Sequence, residues 1–262
     1  TRSSMEKEEF FQKRMLELSK KAFFRGILTF SDFLDLNQQN ILHSLLPGLE
    51  NTGVRVRMFG GYETAERQMA AFVPDAFCYE EDFETEGAYP ISCIQIAPLQ
   101  AKFADVLTHR DYLGSILNLG LDRSKIGDIL LEEHCAYVFC HSSVCQFLTE
   151  EISRIKHTSV MAKEIFEKEA MPKPRREELS GTVASPRLDS IIALAFHTSR
   201  SSMIPFIEGG KVFVNGKSVV SNGYNLKEGD IISVRGKGKF QFGSVTCKTK
   251  KNRFHVVLYK YC

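Results

Sequence analysis

Residues able to do chemistry cluster most densely near the end of the chain, in "FIEGGKVFVNGKS" at positions 206–218. Gly216, Lys217 and Ser218 match the end of a phosphate-cradling loop, where successive backbone N–H groups wrap an anion between a strand and a helix. The first glycine of such a loop would have to stand at position 211, which is Lys211. Val212, Phe213 and Val214 instead alternate into Asn215-Gly216, the strongest short signal for a tight hairpin turn, and Lys217 to Val220 continue as the returning strand. The stretch reads as a hairpin. Cys135, Cys140 and His141 offer sulfur and imidazole at close spacing, but Tyr137, Val138 and Phe139 between them suit buried strand cysteines better than a metal centre. No metal and no cofactor is expected.

Two helices are expected to precede this hairpin. Ser185 can cap the first with Pro186 at its first position, and Leu188, Ile191, Ile192, Ala195 and Phe196 then line one apolar face. The second begins between Ser199 and Ser202 and ends at Gly209 or Gly210. If it begins at Ser201 or Ser202, Pro205 falls in the first turn; if it begins at Ser199, a backbone bond is lost. Arg187 and Arg200 lie at the helix starts, where a cation is disfavoured unless an anion sits alongside. A phosphate would satisfy arginine and free N–H groups together, and an ion pair with Asp189 or Glu208 is the structural alternative. Lys211, Lys217, Arg235, Lys237 and Lys239 add charge around the same module, and Ile231, Ile232 and Val234 add a strand.

The rest of the chain must hold this module in place. Residues 1–85 read as a mostly helical domain, with a strand at Val54 to Met58, a turn at Gly60-Gly61 and a short helix opened by Thr64, Arg67 and Met69. The acidic run Tyr79 to Gly87 reads as a solvated loop or linker. Residues 86–170 give the order β-α-β-β-α, as in ferredoxin-like or RNA-recognition-motif domains, with Val144, Phe147, Leu148, Ile152 and Ile155 on the second helix. Tyr137 and Phe139 share one face of their strand, either as stacking aromatics or as core. A linker is expected at 171–185, following a long helical pattern, and the basic module at 186–262. The fold class is therefore α+β in three parts.

Composition limits the function further. From 172 to 262 there are 16 Lys and Arg against 6 Asp and Glu, whereas residues 1–171 hold 18 against 26. Such a split suggests that the C-terminal part meets a polyanion. Seven cysteines without a C-x-x-C pair read as reduced thiols. No run of eighteen apolar residues and no secretory signal is visible, Met5 would make a natural start, and a cytoplasmic monomer without membrane contact is expected.

"RLD" at 187–189, "SRS" at 199–201, "FIEGGKVFVNGK" and "GDIISVRGKGKF" in that order resemble, over about 60 residues, the RNA-binding domain named after small-subunit ribosomal protein four, here the S-four domain. With "FGGYETAER" (59–67) and "LTHRDYLGSILNLGLDRSKIGDI" (107–129) ahead of it, nearly the whole chain is similar to the bacterial YlmH family. That resemblance implies a non-catalytic factor that binds structured RNA, ribosomal RNA or tRNA, on the large ribosomal subunit in ribosome quality control. The residues implied for RNA contact are Arg187, Ser199, Arg200, Lys211, Asn215, Lys217, Arg235, Lys237 and Lys239. His109, Arg110, Tyr137 and Phe139 are candidates for a second contact, with simple capping by Thr108 and Asp111 as the alternative for the first two.

Enzymatic readings find little to hold them. "RLD" also occurs at the catalytic aspartate of pseudouridine synthases, but Asp189 is followed here by Ser190, Ile191 and Ile192. "HRD" at 109–111 is followed by Asn118 seven rather than five residues after Asp111, without a D-F-G, unlike a kinase loop. An RNA-modifying enzyme using Asp111 or Asp128, and a scaffold whose basic end binds an acidic protein, remain the competing hypotheses.

Overall fold

Residues 2–78, 85–167 and 170–262 are described by the computed structural model, and they divide into two units, Thr1–Pro172 and Lys173–Cys262. In the first unit α1 (Arg2–Arg25), β1 (Thr29–Phe30) and α2 (Leu36–Glu50) are followed by β2 (Val54–Phe59) and β3 (Met69–Pro74). Asp35 opens α2 through a reciprocal box in which its carboxylate accepts from Gln38 N and the Gln38 side chain accepts from Asp35 N. The three strands form an antiparallel sheet in the order β1-β3-β2.

The region is still mostly helical through α1 and α2, which lie against the three-stranded sheet, but no helix opens at Thr64 to Met69, where turns and a bridge lead into β3. The reason lies in β3's position: Ala70 and Phe72 pack toward Met15, Leu18 and Leu42 of the helices, while Met69, Ala71 and Val73 face a second sheet. A strand buried on both sides is an unbroken apolar run, which periodicity does not separate from a helix. After α3 (Asp75–Cys78), residues 79–84 of the acidic run lie outside the described residues, and Thr85–Ala88 make one 3-10 turn.

That second sheet is built from β4 (Ile91–Pro98), α4 (His109–Leu117), β5 (Ile126–Leu131), β6 (Ala136–His141), α5 (Ser142–Glu151), β7 (Arg154–Ile155) and β8 (Thr158–Ile165). Its order, β5-β6-β4-β8-β7, is antiparallel throughout, with α4 and α5 on one face over Ile94, Ile96, Ile126 and Val138. This is the ferredoxin-like arrangement expected from the element order. Helix α5 stops at Glu151, so Ile152 is its cap and Ile155 belongs to β7, although both stay buried. The long helical pattern expected beyond it is instead β8, whose burial alternates from Thr158 to Lys163. The opposite sheet face, with Cys93 and Phe139, shares a core with Phe33, Met69, Ala71, Val73 and Tyr89. The boundary expected at 85 therefore crosses a continuous core.

The second unit contains β9 (Arg176–Val183), α6 (Leu188–Ala195), α7 (Arg200–Glu208), β10 (Val212–Val214), β11 (Lys217–Ser218), β12 (Ile231–Val234), β13 (Gly238–Lys248) and β14 (Phe254–Tyr261). The antiparallel sheet runs β11-β10-β12-β13-β14-β9, and the helices cover one face of it over Phe240, Phe242, Val256 and Leu258. Asn215 and Gly216 hold φ of 50° and 78°, the left-handed pair that a two-residue hairpin requires, and the hairpin reading stands. The expected linker is largely β9, paired with β14 from Arg176↔Tyr261 to Val183↔Phe254. Its charged Arg176, Glu177 and Glu178 suit an edge strand, which charge protects from further pairing, and that same composition looks like a linker. Among the described residues no helix is long and apolar enough to cross a membrane.

Candidate nucleic-acid interface

Asp189 lies in the first turn of α6 with 1% exposure, and its carboxylate collects donors from three directions. Oδ2 accepts from Arg200 Nη2 at 2.8 Å and from Arg187 Nη2 at 3.3 Å, while Oδ1 accepts from Ser190 N at 2.8 Å. The arginine side chains remain 55% and 41% exposed, so the clasp leaves one net positive charge facing water. The helix itself begins later than Ser185-Pro186: Arg187 is its extended cap. Leu188 N and Asp189 N donate to the carbonyls of Tyr224 and Asn222, so these first-turn donors are taken by the chain and not open to an anion. The ion pair weighed against a phosphate is thus formed, and both arginine side chains stay partly exposed.

Ser199 caps α7 by accepting from Ser202 N at 3.2 Å, and its hydroxyl also meets those of Ser201 and Ser202. With the helix starting at Arg200, Pro205 stands beyond the first turn and has no N–H to return to the Ser201 carbonyl. Beside this helix start, Ser190, His197, Thr198, Arg200, Thr182 and Arg253 help line an open cleft of about 370 Å³. At the other end of α7, roughly 13 Å away by helical rise, Lys211 and Lys237 sit over the same Phe206 ring at 5.4 and 5.3 Å. Arg235 lies over Phe213 at 5.3 Å and Lys239 over Tyr261 at 5.4 Å. Lys217 is exposed on the hairpin. Asn215 is spent on the fold: its amide donates to Asp230 and its Oδ1 accepts from Ile231 N, each at 2.9 Å.

In the first unit the two quoted motif stretches meet. Asp128 accepts from Glu66 N and Arg67 N, Arg67 donates to the carbonyls of Ile126 and Arg123, and Arg123 donates to Ile126 O. Burial depresses both guanidiniums, Arg123 to about 10 with Arg67 adding to the effect. His109 opens α4 near this group, and desolvation followed by the Arg123 charge holds its pKa below the ordinary value. Arg110 is exposed. Asp111 closes a capping box with Thr108 and pairs with Lys156 at 3.1 Å. Asp111 and Asp128, the carboxylates named for an enzymatic alternative, are therefore engaged in bracing the backbone.

The aromatic pair on β6 divides. Phe139 is 1% exposed, lies 5.0 Å from the Tyr62 ring and packs on Gly61, so it serves the core between the sheets and not a base. Tyr137 is half-buried, with its hydroxyl accepting from Gln95 at 3.1 Å. Alternation along β6 also parts the cysteines: Cys140 faces the helices with Cys145, while Cys135 lies near Gln95, and His141 accepts from Ser143 N to cap α5. Sequence reasoning stopped at Lys239 and missed the cation-on-ring pairs beyond it, Arg176 over Tyr259 at 4.3 Å, Lys260 over Phe196 at 5.0 Å and Lys248 over Phe254 at 5.2 Å. The alternation of aromatic and basic residues in "FHVVLYKY" was the available signal.

Residues 80–169 match the family model described as "Putative RNA-binding domain in YlmH", and residues 186–232 match that of the S4 domain. The chain is 30% identical over 231 residues to the "Ribosome-associated protein quality control protein P2" of Bacillus subtilis (strain 168), covering 86% of this chain and 84% of that protein. The solved "Cell division protein ylmH from Streptococcus pneumoniae" shares the fold with TM-score 0.50 and 23% identity, over 63% of this chain and 95% of that one.

Proposed function

The chain belongs to the YlmH family, and from that membership we propose that it is a non-catalytic RNA-binding factor whose C-terminal unit docks on ribosomal RNA or tRNA. Its place of action is the large ribosomal subunit, in ribosome-associated quality control, where it works as a cytoplasmic monomer. The observation that carries this reading is the pair of cation clusters at the two ends of α7, the Arg187–Asp189–Arg200 clasp and the Lys211–Phe206–Lys237 stack. Each cation is held in place by a carboxylate or ring, so less side-chain freedom is lost when phosphate arrives. Backbone recognition of this kind suits A-form RNA, whose deep groove hides its bases. Support for the ribosomal target comes from the relative in Bacillus subtilis.

Sedimentation of the full protein with purified ribosomal subunits at low and moderate salt tests it. The expected result is cosedimentation with the large subunit that weakens as salt rises. Lys211→Ala/Lys237→Ala should weaken binding by about 1 to 3 kcal/mol if both make hydrogen-bonded phosphate contacts. These lysines are the better probes, because replacing Arg200 also disturbs the buried Asp189. Unchanged affinity and unchanged salt slope in that variant would remove the α7 face from consideration.

A further inference from the structure

The face of the C-terminal sheet turned away from α6 and α7 has chemistry of its own. Phe240, Phe242, Val256 and Leu258 point to the helices, so alternation puts Lys239, Gln241, Tyr259, Tyr261, Arg176 and Glu178 on the other face. The register sets Tyr261 opposite Arg176 and Tyr259 opposite Gln241. Arg176 is exposed and lies over the Tyr259 ring at 4.3 Å, and Lys239 lies over the part-exposed Tyr261 ring at 5.4 Å. A Cβ at Gly243 would stand 2.7 Å from Tyr259 Cε2, so the missing side chain in this irregular part of β13 lets the ring lie against the backbone. The S4 family match ends at residue 232, before β13 and β14 begin, and starts after β9, so these strands lie outside the module that carries the first reading.

We propose that this face is a second RNA-contact surface, which takes unpaired bases onto the stacked Arg176–Tyr259 and Lys239–Tyr261 pairs. The proposal rests on the C-terminal unit meeting RNA, and it adds single-stranded segments to the structured RNA held along α7. A guanidinium already lying on a ring offers its outward plane to a base, and aromatic rings accept any base because each has a π-face. Charge selects a polyanion: the unit carries 16 Lys and Arg against 6 Asp and Glu, with Glu178 the acid beside Tyr259 on this face. The cations serve the phosphates between stacked bases.

Fluorescence anisotropy of the full-length protein with two labelled probes, a ten-nucleotide oligouridine and a fully paired RNA hairpin, tests the proposal. Tyr259→Leu/Tyr261→Leu keeps apolar cover over Gly243 and removes the rings. It should weaken the oligouridine about tenfold or more while leaving the hairpin within about twofold. Arg176→Gln, at an exposed edge position, should weaken the oligouridine and flatten its salt dependence. Lys211→Ala/Lys237→Ala should show the reverse pattern, so failure on the hairpin reports on α7 and failure on the single strand reports on the sheet. Equal loss on both probes, no loss on oligouridine, or displacement of oligouridine by poly-glutamate as effectively as by unlabelled RNA would overturn the proposal.

Discussion

A carboxylate with 1% exposure depends on its partners, because a buried charge left unpaired costs far more than a surface ion pair gains. Arg187→Ala/Arg200→Ala should therefore lower the stability of the C-terminal unit by about 3 to 5 kcal/mol. Each single change should cost less than half of that, since the remaining guanidinium still reaches Oδ2. Urea unfolding reads the effect, and adding Asp189→Asn should recover part of it. The buried thiols give a second test at this scale. Burial raises Cys145 to about 11 and Cys93 to about 12 from the ordinary value of 9.0, with neighbouring ionisable groups adding to the shift. A pKa raised by folding contributes stability that is intact below pH 9 and falls as pH rises through 11 to 12, because the unfolded thiols ionise first. The melting temperature of the first unit should accordingly decline from pH 9 upward, and Cys93→Ala/Cys145→Ala should blunt that decline.

Between the two sheets of the first unit, Gly61 sits at φ +100°, where a Cβ would be 2.3 Å from Phe139 Cδ1. Gly61→Ala combines a strained backbone with overpacking and should cost about 3 kcal/mol, checked by the thermal midpoint of that unit. The same contact shows where the sequence was readable. Amphipathic helices α4 to α7 and the Asn215-Gly216 hairpin were legible because each declares itself over a few residues, through caps, a 3.6 period or a turn dipeptide. Strands β3 and β9 were not, and for opposite reasons. One is apolar on both faces because another sheet covers it, and the other is polar because it lies at an edge; both are made strands by distant partners. The site divides in the same way. Basic residues near the S-four motifs could be named from the chain, whereas Asp189 as their shared anchor and the rings beneath Lys211, Lys237 and Lys239 appear only after folding.

At the scale of the whole chain, two units with separate cores predict two calorimetric transitions. Gly61→Ala should shift one of them and Arg187→Ala/Arg200→Ala the other, and a single transition moved by both variants would contradict that independence. The charge split puts most of the long-range pull on a polyanion in the basic second unit, so added salt should weaken RNA binding. The pairing of β9 with β14 has a consequence for biosynthesis. The strand that enters the C-terminal unit is made nearly eighty residues before the one it pairs with, so it leaves the ribosome with no partner and waits for most of the unit to be translated. A message interrupted before Phe254 would leave β9 and β13 each with a bare edge, and such a fragment would be marked for aggregation by the very strands that close the finished fold.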